Sequence, residues 1–159
     1  MKKPWFGSIA LTLLVALSTT VSAETASLKD ARTFVAQAQI GRNLHDIALS
    51  VAKRTATYAL ITSTLGSAGA ASAVSDEINA LLPQYQPKWD ENIAQAYEKS
   101  FSEEELSSLA AEGRASKYAG KVVERQPEIG NTMQSSAKPI LTALVSEALN
   151  VTMSKHTTE

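Results

Sequence analysis

Apolar residues recur at three- and four-residue steps along most of the chain, and no strand-like alternation lasts beyond four residues. That period lines one face of an α-helix, whose turn holds about 3.6 residues. The pattern therefore predicts an all-α fold, a compact bundle of about six or seven short helices. Ser27 before Leu28, with Asp30 three residues on, is a capping start for a helix through about Gln39. Gly41 interrupts it. Leu44, Ile47, Ala48, Val51, Tyr58, Ala59, Thr62 and Leu65 then mark one face of a longer second helix. Gly66 to Ala73, GSAGAASA, reads as a hinge or loop before Val74, Ile78, Leu81 and Leu82, and Pro83 is expected to end that third segment. Pro87 suits the first turn of a fourth, where Trp89, Ile93 and Tyr97 share a face.

The second half carries the sharpest local signal. In Ser102-Glu103-Glu104-Glu105, serine and the glutamate three residues later can each satisfy an orphan backbone donor, and the acidic run suits the positive end of a helix. Leu106, Leu109 and Ala110 should face inward, and Gly113 should close the segment. A further helical piece runs to about Arg125. Pro127 opens the last helix, with Ile129, Met133, Ala137, Leu141, Leu144, Ala148 and Val151 on its buried face and a kink expected near Lys138, before Pro139. The polar tail from about Thr152 is expected to fray.

Residues 1–23 have the pattern of a cleavable export signal. Lys2 and Lys3 precede a nine-residue stretch, Ile9 to Leu17, that is apolar except for Thr12, and Val21-Ser22-Ala23 offers small residues for cleavage. Nine positions are too few to span a bilayer, which takes about 20. Cleavage after Ala23 leaves residues 24–159 as a single helical domain. Composition agrees: 25 alanines against seven glycines and five prolines favour helix over sheet. Removing Lys2 and Lys3 leaves 13 basic against 16 acidic side chains, a net charge of −3, so no global field draws the chain to nucleic acid. With no cysteine, neither a disulfide nor a lipidated cysteine is available. The expectation is a soluble periplasmic or secreted protein, not an integral membrane protein.

Trp89, Tyr97, Phe101-Ser102-Glu103-Glu104-Glu105-Leu106, Leu109, Ser116, Gly120-Lys121 and Gln126-Pro127 follow one another in an order and spacing that resembles a bacterial family of exported helical proteins known as a domain of unknown function. The resemblance covers about 40 residues, Trp89 to Pro127, and departs at Glu112-Gly113, where the family carries Phe-Tyr. It implies an all-helical envelope protein and brings no reaction with it.

Candidate chemistry is sparse. The two histidines, His45 and His156, form no metal-ligand spacing, and no cofactor is expected. His45-Asp46 could orient an imidazole, but neighbouring helical residues point about 100° apart. Ser50-Val51-Ala52-Lys53 and Ser135-Ser136-Ala137-Lys138 both match Ser-x-x-Lys, in which a lysine one turn away can deprotonate a serine nucleophile. With 18 serines and ten lysines in 159 positions such matches arise by chance, and neither comes with a Ser-Asp-Asn or Lys-Thr-Gly companion; Ser75-Asp76-Glu77 is a near miss. A serine-lysine hydrolase using Ser135 and Lys138 is the enzymatic alternative. Arg114, Lys117, Lys121 and Arg125, spaced three, four and four apart with Tyr118 beside them, would put four cations on one side of a helix. That face could hold an anionic envelope component, an acidic peptide or an envelope protein partner, against the plainer reading of a solvated face balancing Glu112, Glu124 and Glu128. The leading expectation is a non-catalytic binding module that contacts its partner through Arg114, Lys117, Tyr118 and Lys121. A homo-oligomer is a further possibility.

Overall fold

The computed structural model describes residues 25–156; the export segment lies outside them. Every regular element among the described residues is helical. Helix α1 (Ala26–Ala38) is capped by Thr25, whose Oγ1 accepts from the Leu28 N–H at 3.1 Å, so the cap falls two residues before Ser27. Gln39 leaves α1 in the left-handed region (φ 53°) and a 3-10 turn, Ile40–Asn43, leads into α2 (Leu44–Ala52). Gly41 in that turn lets the chain approach α3: an added Cβ would lie 1.9 Å from Asp90 Oδ1.

The expected second helix divides at residues 53–55. Thr55 caps α3 (Ala56–Ser100) by accepting from the Tyr58 N–H at 3.1 Å, and Val51, assigned inward by its spacing, is 36% exposed, while Ile61 is 2% exposed. Within α3 only Gly66 departs from helical dihedrals (φ 70°, ψ 168°), a conformation that favours glycine. The expected loop Gly66 to Ala73 is thus a single-residue kink, and the alanine-rich stretch after it is helix with Ala70 fully buried.

Pro83 does not end a helix, nor does Pro87 begin one; both lie inside α3. Each removes one N–H, from the carbonyls of Asn79 and Pro83 respectively, and residues 79, 83 and 87 all face solvent, where water can serve the freed carbonyls. The opposite face buries Val74, Ile78, Tyr85, Trp89, Ile93 and Tyr97. Burial at about 1.5–3 kcal/mol per large apolar side chain outweighs two prolines at about 3 kcal/mol each.

Ser102 caps α4 (Glu103–Glu112) with both halves of the capping box present, Leu106, Leu109 and Ala110 are buried, and Gly113 ends it, as the local pattern predicts. A 3-10 turn, Gly113–Ala115, precedes the short α5 (Ala119–Glu124), which buries none of its residues. Helix α6 (Gln126–His156) runs on through Pro139. Its end is not frayed: Thr152 is fully buried, its hydroxyl donates to the Ala148 carbonyl at 2.8 Å, and Lys155 pairs with Glu77. Helices α3 and α6 pack on each other as the main pair, α1 bridges α3 and α4, and α2 lies against α3 and α6. Besides the Lys155–Glu77 pair, Tyr85 Oη donates to Glu147 at 2.6 Å and Ser136 Oγ donates to Asn92 at 2.6 Å across the main pair. None of the described helices is long and apolar enough to cross a membrane.

Candidate functional site

The four cations do not form a stripe on one helix. Arg114 lies in the 3-10 turn, Lys117 and Tyr118 in the bend that follows, Lys121 in α5, and Arg125 just after it. Buried Ser116 shapes the bend: its Oγ accepts from the Tyr118 N–H at 3.1 Å and bonds Ser108 Oγ at 2.7 Å. The bend turns the cations back onto the first turn of α4. Lys117 Nζ reaches Glu104 at 3.3 Å, and Tyr118 Oη donates to the same carboxylate at 2.6 Å. Lys121 Nζ lies 2.5 Å from Glu105 Oε1, and Arg125 Nη1 lies 3.0 Å from Glu105 Oε2 and also donates to the Ser100 carbonyl. Both lysines stand over the Tyr118 ring, at 4.8 and 5.2 Å from its centroid, and Arg125 stands over Phe101 at 4.8 Å.

Glu105 is the centre of this clamp. Its side chain is 9% exposed, and it accepts from Lys121, from the Ser102 N–H and from Arg125. The Lys121 ammonium first, then the Ser102 N–H, hold its carboxyl down to about 2 against the opposing effect of burial, with Arg125 adding to the lowering. Glu104 is likewise lowered, by the Tyr118 hydroxyl and then Lys117. Lys117, Tyr118 and Lys121 therefore have internal partners, and what they do in the fold is fasten α5 and the bend before it to α4. Arg114 alone of the four cations makes no ion pair with any described residue.

Arg114 stands instead in the wall of a groove. This cavity, about 570 Å3, runs between the end of α1, the Tyr97 end of α3, the end of α4, α5 and the start of α6. Phe34, Ile40, Leu109 and Val122 give it an apolar wall, and Val123, which also lines it, is 73% exposed. A second cavity of about 230 Å3, walled by Trp89, Ile93, Ile129 and Met133 among others, shares Ile40, Tyr97 and Gln126 with the first, which places the two side by side. Tyr97 is the residue around which the groove is built: it is 1% exposed, with its ring 5.6 Å from Phe34 and stacked at 5.4 Å on Phe101. Burial pushes its phenol above the ordinary value. Its Oη and the Nε1 of Trp89 are both buried without a hydrogen-bond partner. Such a group costs about 1–3 kcal/mol; both atoms lie beneath the surface, Tyr97 behind both cavities and Trp89 behind the smaller one alone.

The serine candidates gain no companions. Ser50, Lys53, Ser135 and Lys138 are all exposed, and no hydrogen bond joins either serine to its lysine. A different chain of groups does form. Ser75 Oγ lies 3.0 Å from His45 Nε2, and His45 Nδ1 lies 3.0 Å from Asp46 Oδ1, so the adjacent Asp46 reaches the ring despite its helical offset. The order serine, imidazole, carboxylate is that of a hydrolytic triad, but Ser75 sits mid-helix, where the neighbouring N–H groups serve the helix itself and cannot form an oxyanion hole. Asp46 is 86% exposed on its side chain, so the chain of bonds acts as a tie between α2 and α3. No cluster of three metal-ligating side chains occurs among the described residues. Comparison with protein-family models gives no match, and neither the curated proteins nor the solved structures yield one.

Proposed function

We propose that this chain is a non-catalytic binding module of the bacterial envelope, exported by residues 1–23, whose ligand sits in the groove beneath α5 with Arg114 at its edge. The observation that carries this reading is the groove itself: an apolar wall of Phe34, Ile40, Leu109 and Val122, and at its edge a cation with no ion pair to a described residue. Concave, mostly apolar sites with a few polar groups are the usual form of ligand pockets, and about 570 Å3 lies within their ordinary range. Lys117, Tyr118 and Lys121 enter the function indirectly, by holding the helix that supplies Ala119, Val122 and Val123 to the wall. Export rests on Lys2, Lys3, the apolar stretch 9–17 and Val21-Ser22-Ala23, and it accords with the envelope family that Trp89 to Pro127 resembles.

Anilinonaphthalene sulfonate, which pairs apolar rings with an anionic group, tests the site. The full chain carrying Trp5→Phe leaves Trp89 as its sole tryptophan, so energy transfer from Trp89 reports occupancy. Saturable binding is expected, about tenfold weaker in Arg114→Gln and lost in Val122→Glu, with Lys138→Gln unchanged. Equal binding by the native chain and Val122→Glu would place the dye elsewhere and remove the groove from the reading.

A further inference from the structure

We infer that the occupant of the groove is an extended peptide segment with apolar side chains and a free terminal carboxylate, an inference that rests on the groove being the binding site. The amides in its wall distinguish it from a pocket for hydrocarbon. Gln37, Gln39 and Gln126 line the larger cavity, and Asn43 joins Gln126 in the smaller one. The side chains of Gln37, Asn43 and Gln126 bond no described residue, and Gln39 uses only its Oε1, which accepts from Arg42 at 2.7 Å. A side-chain amide both donates and accepts, and so does each residue of a peptide backbone, at steps of about 3.4 Å in extended conformation. An acyl chain would displace water from these amides and offer nothing in return.

The remaining groups fit the same ligand. Phe34, Ile40 and Val122 offer apolar contact to side chains. Arg114, a planar fork of donors at the edge of the larger cavity, suits a carboxylate better than any neutral group. A chain end supplies that carboxylate, so the inferred ligand is the C-terminal end of a partner polypeptide.

The test uses the full chain carrying Trp5→Phe and reads Trp89 emission. The probes are acetyl-Val-Ser-Ala-Leu-Val-Ala with a free carboxylate, the same peptide as its C-terminal amide, and dodecanoate. The free acid is expected to bind about tenfold tighter than the amide, and Arg114→Gln is expected to erase that difference. Equal affinity for acid and amide overturns the carboxylate assignment. Binding of dodecanoate with no binding of either peptide overturns the peptide assignment while leaving the groove as the site. Silence with all three probes, together with failure of the sulfonate dye, overturns both.

Discussion

Glu105→Ala is expected to lower stability by about 2–3 kcal/mol, among the largest effects of any polar substitution in this chain. The change removes a buried carboxylate that serves three donors at once, Lys121, Arg125 and the Ser102 N–H. The two cations are 41% and 30% exposed, so water recovers part of the loss, which keeps the figure below that of a fully buried pair. Glu105→Gln retains an acceptor for Ser102 and should lose only about 1–2 kcal/mol. The pH dependence has a definite sign. The folded pKa of about 2 lies below the unfolded one, so the native state binds fewer protons. The advantage of the native chain over Glu105→Gln is thus full above about pH 5 and shrinks as pH falls toward 2. Thermal unfolding of both proteins across that range measures it. A gap between them that stays constant from pH 6 to the folded pKa of about 2 would mean that Glu105 is not the clamped group.

Tyr97→Ala is expected to cost about 3–5 kcal/mol, enough to shift Tm by about 10 °C or more. Its ring joins Phe34 on α1 to Phe101 after α3 and forms part of both cavity walls, so truncation opens a void where three segments meet. Tyr97→Phe should do the reverse. It keeps the ring and removes a buried hydroxyl that has no partner, so stability is expected to hold or to rise by about 1 kcal/mol. Chemical denaturation of the two variants beside the native chain separates ring from hydroxyl. A loss of stability in Tyr97→Phe comparable to that in Tyr97→Ala would show that the hydroxyl is bonded in solution.

Features whose physics is local could be read from the residues in order. The capping box at Ser102 and Glu105 and the glycine end of α4 depend on neighbours within a few positions, and the structure has them where the pattern puts them. The inward faces of α4 and α6 follow from helical period for the same reason. Pro83 and Pro87 misled because a proline's effect on a helix depends on which way the freed carbonyls face and on what the opposite face buries, and both are settled by packing against α6. Glycine count obscured the alanines after Gly66, which continue the helix once one residue has turned. Thr152 was hidden by its hydroxyl, which finds the Ala148 carbonyl one turn back and needs no water.

The candidate site was legible only in part. Arg114 was singled out with Lys117, Tyr118 and Lys121 by spacing, but spacing assumes one straight helix, and the chain turns at Ser116. The one carboxylate that occupies both Lys121 and Arg125, Glu105, lies 16 and 20 residues before them on α4, and the acidic run there already had an explanation as a helix start. The groove draws on five helices and two 3-10 turns, and its amides are scattered between Gln37 and Gln126 with no spacing that would connect them.

The most direct measurement is a backbone amide NMR titration of the full chain with acetyl-Val-Ser-Ala-Leu-Val-Ala. A binding site in the groove predicts saturable shift changes gathered at Gln37 to Ile40, at Ala119 to Val123 and at Gln126, with the outer face of α4 at Glu103 and Ser107 unmoved. Shifts gathered on that outer face and Lys117, with the groove residues silent, would contradict it and return the binding role to the basic residues around Tyr118.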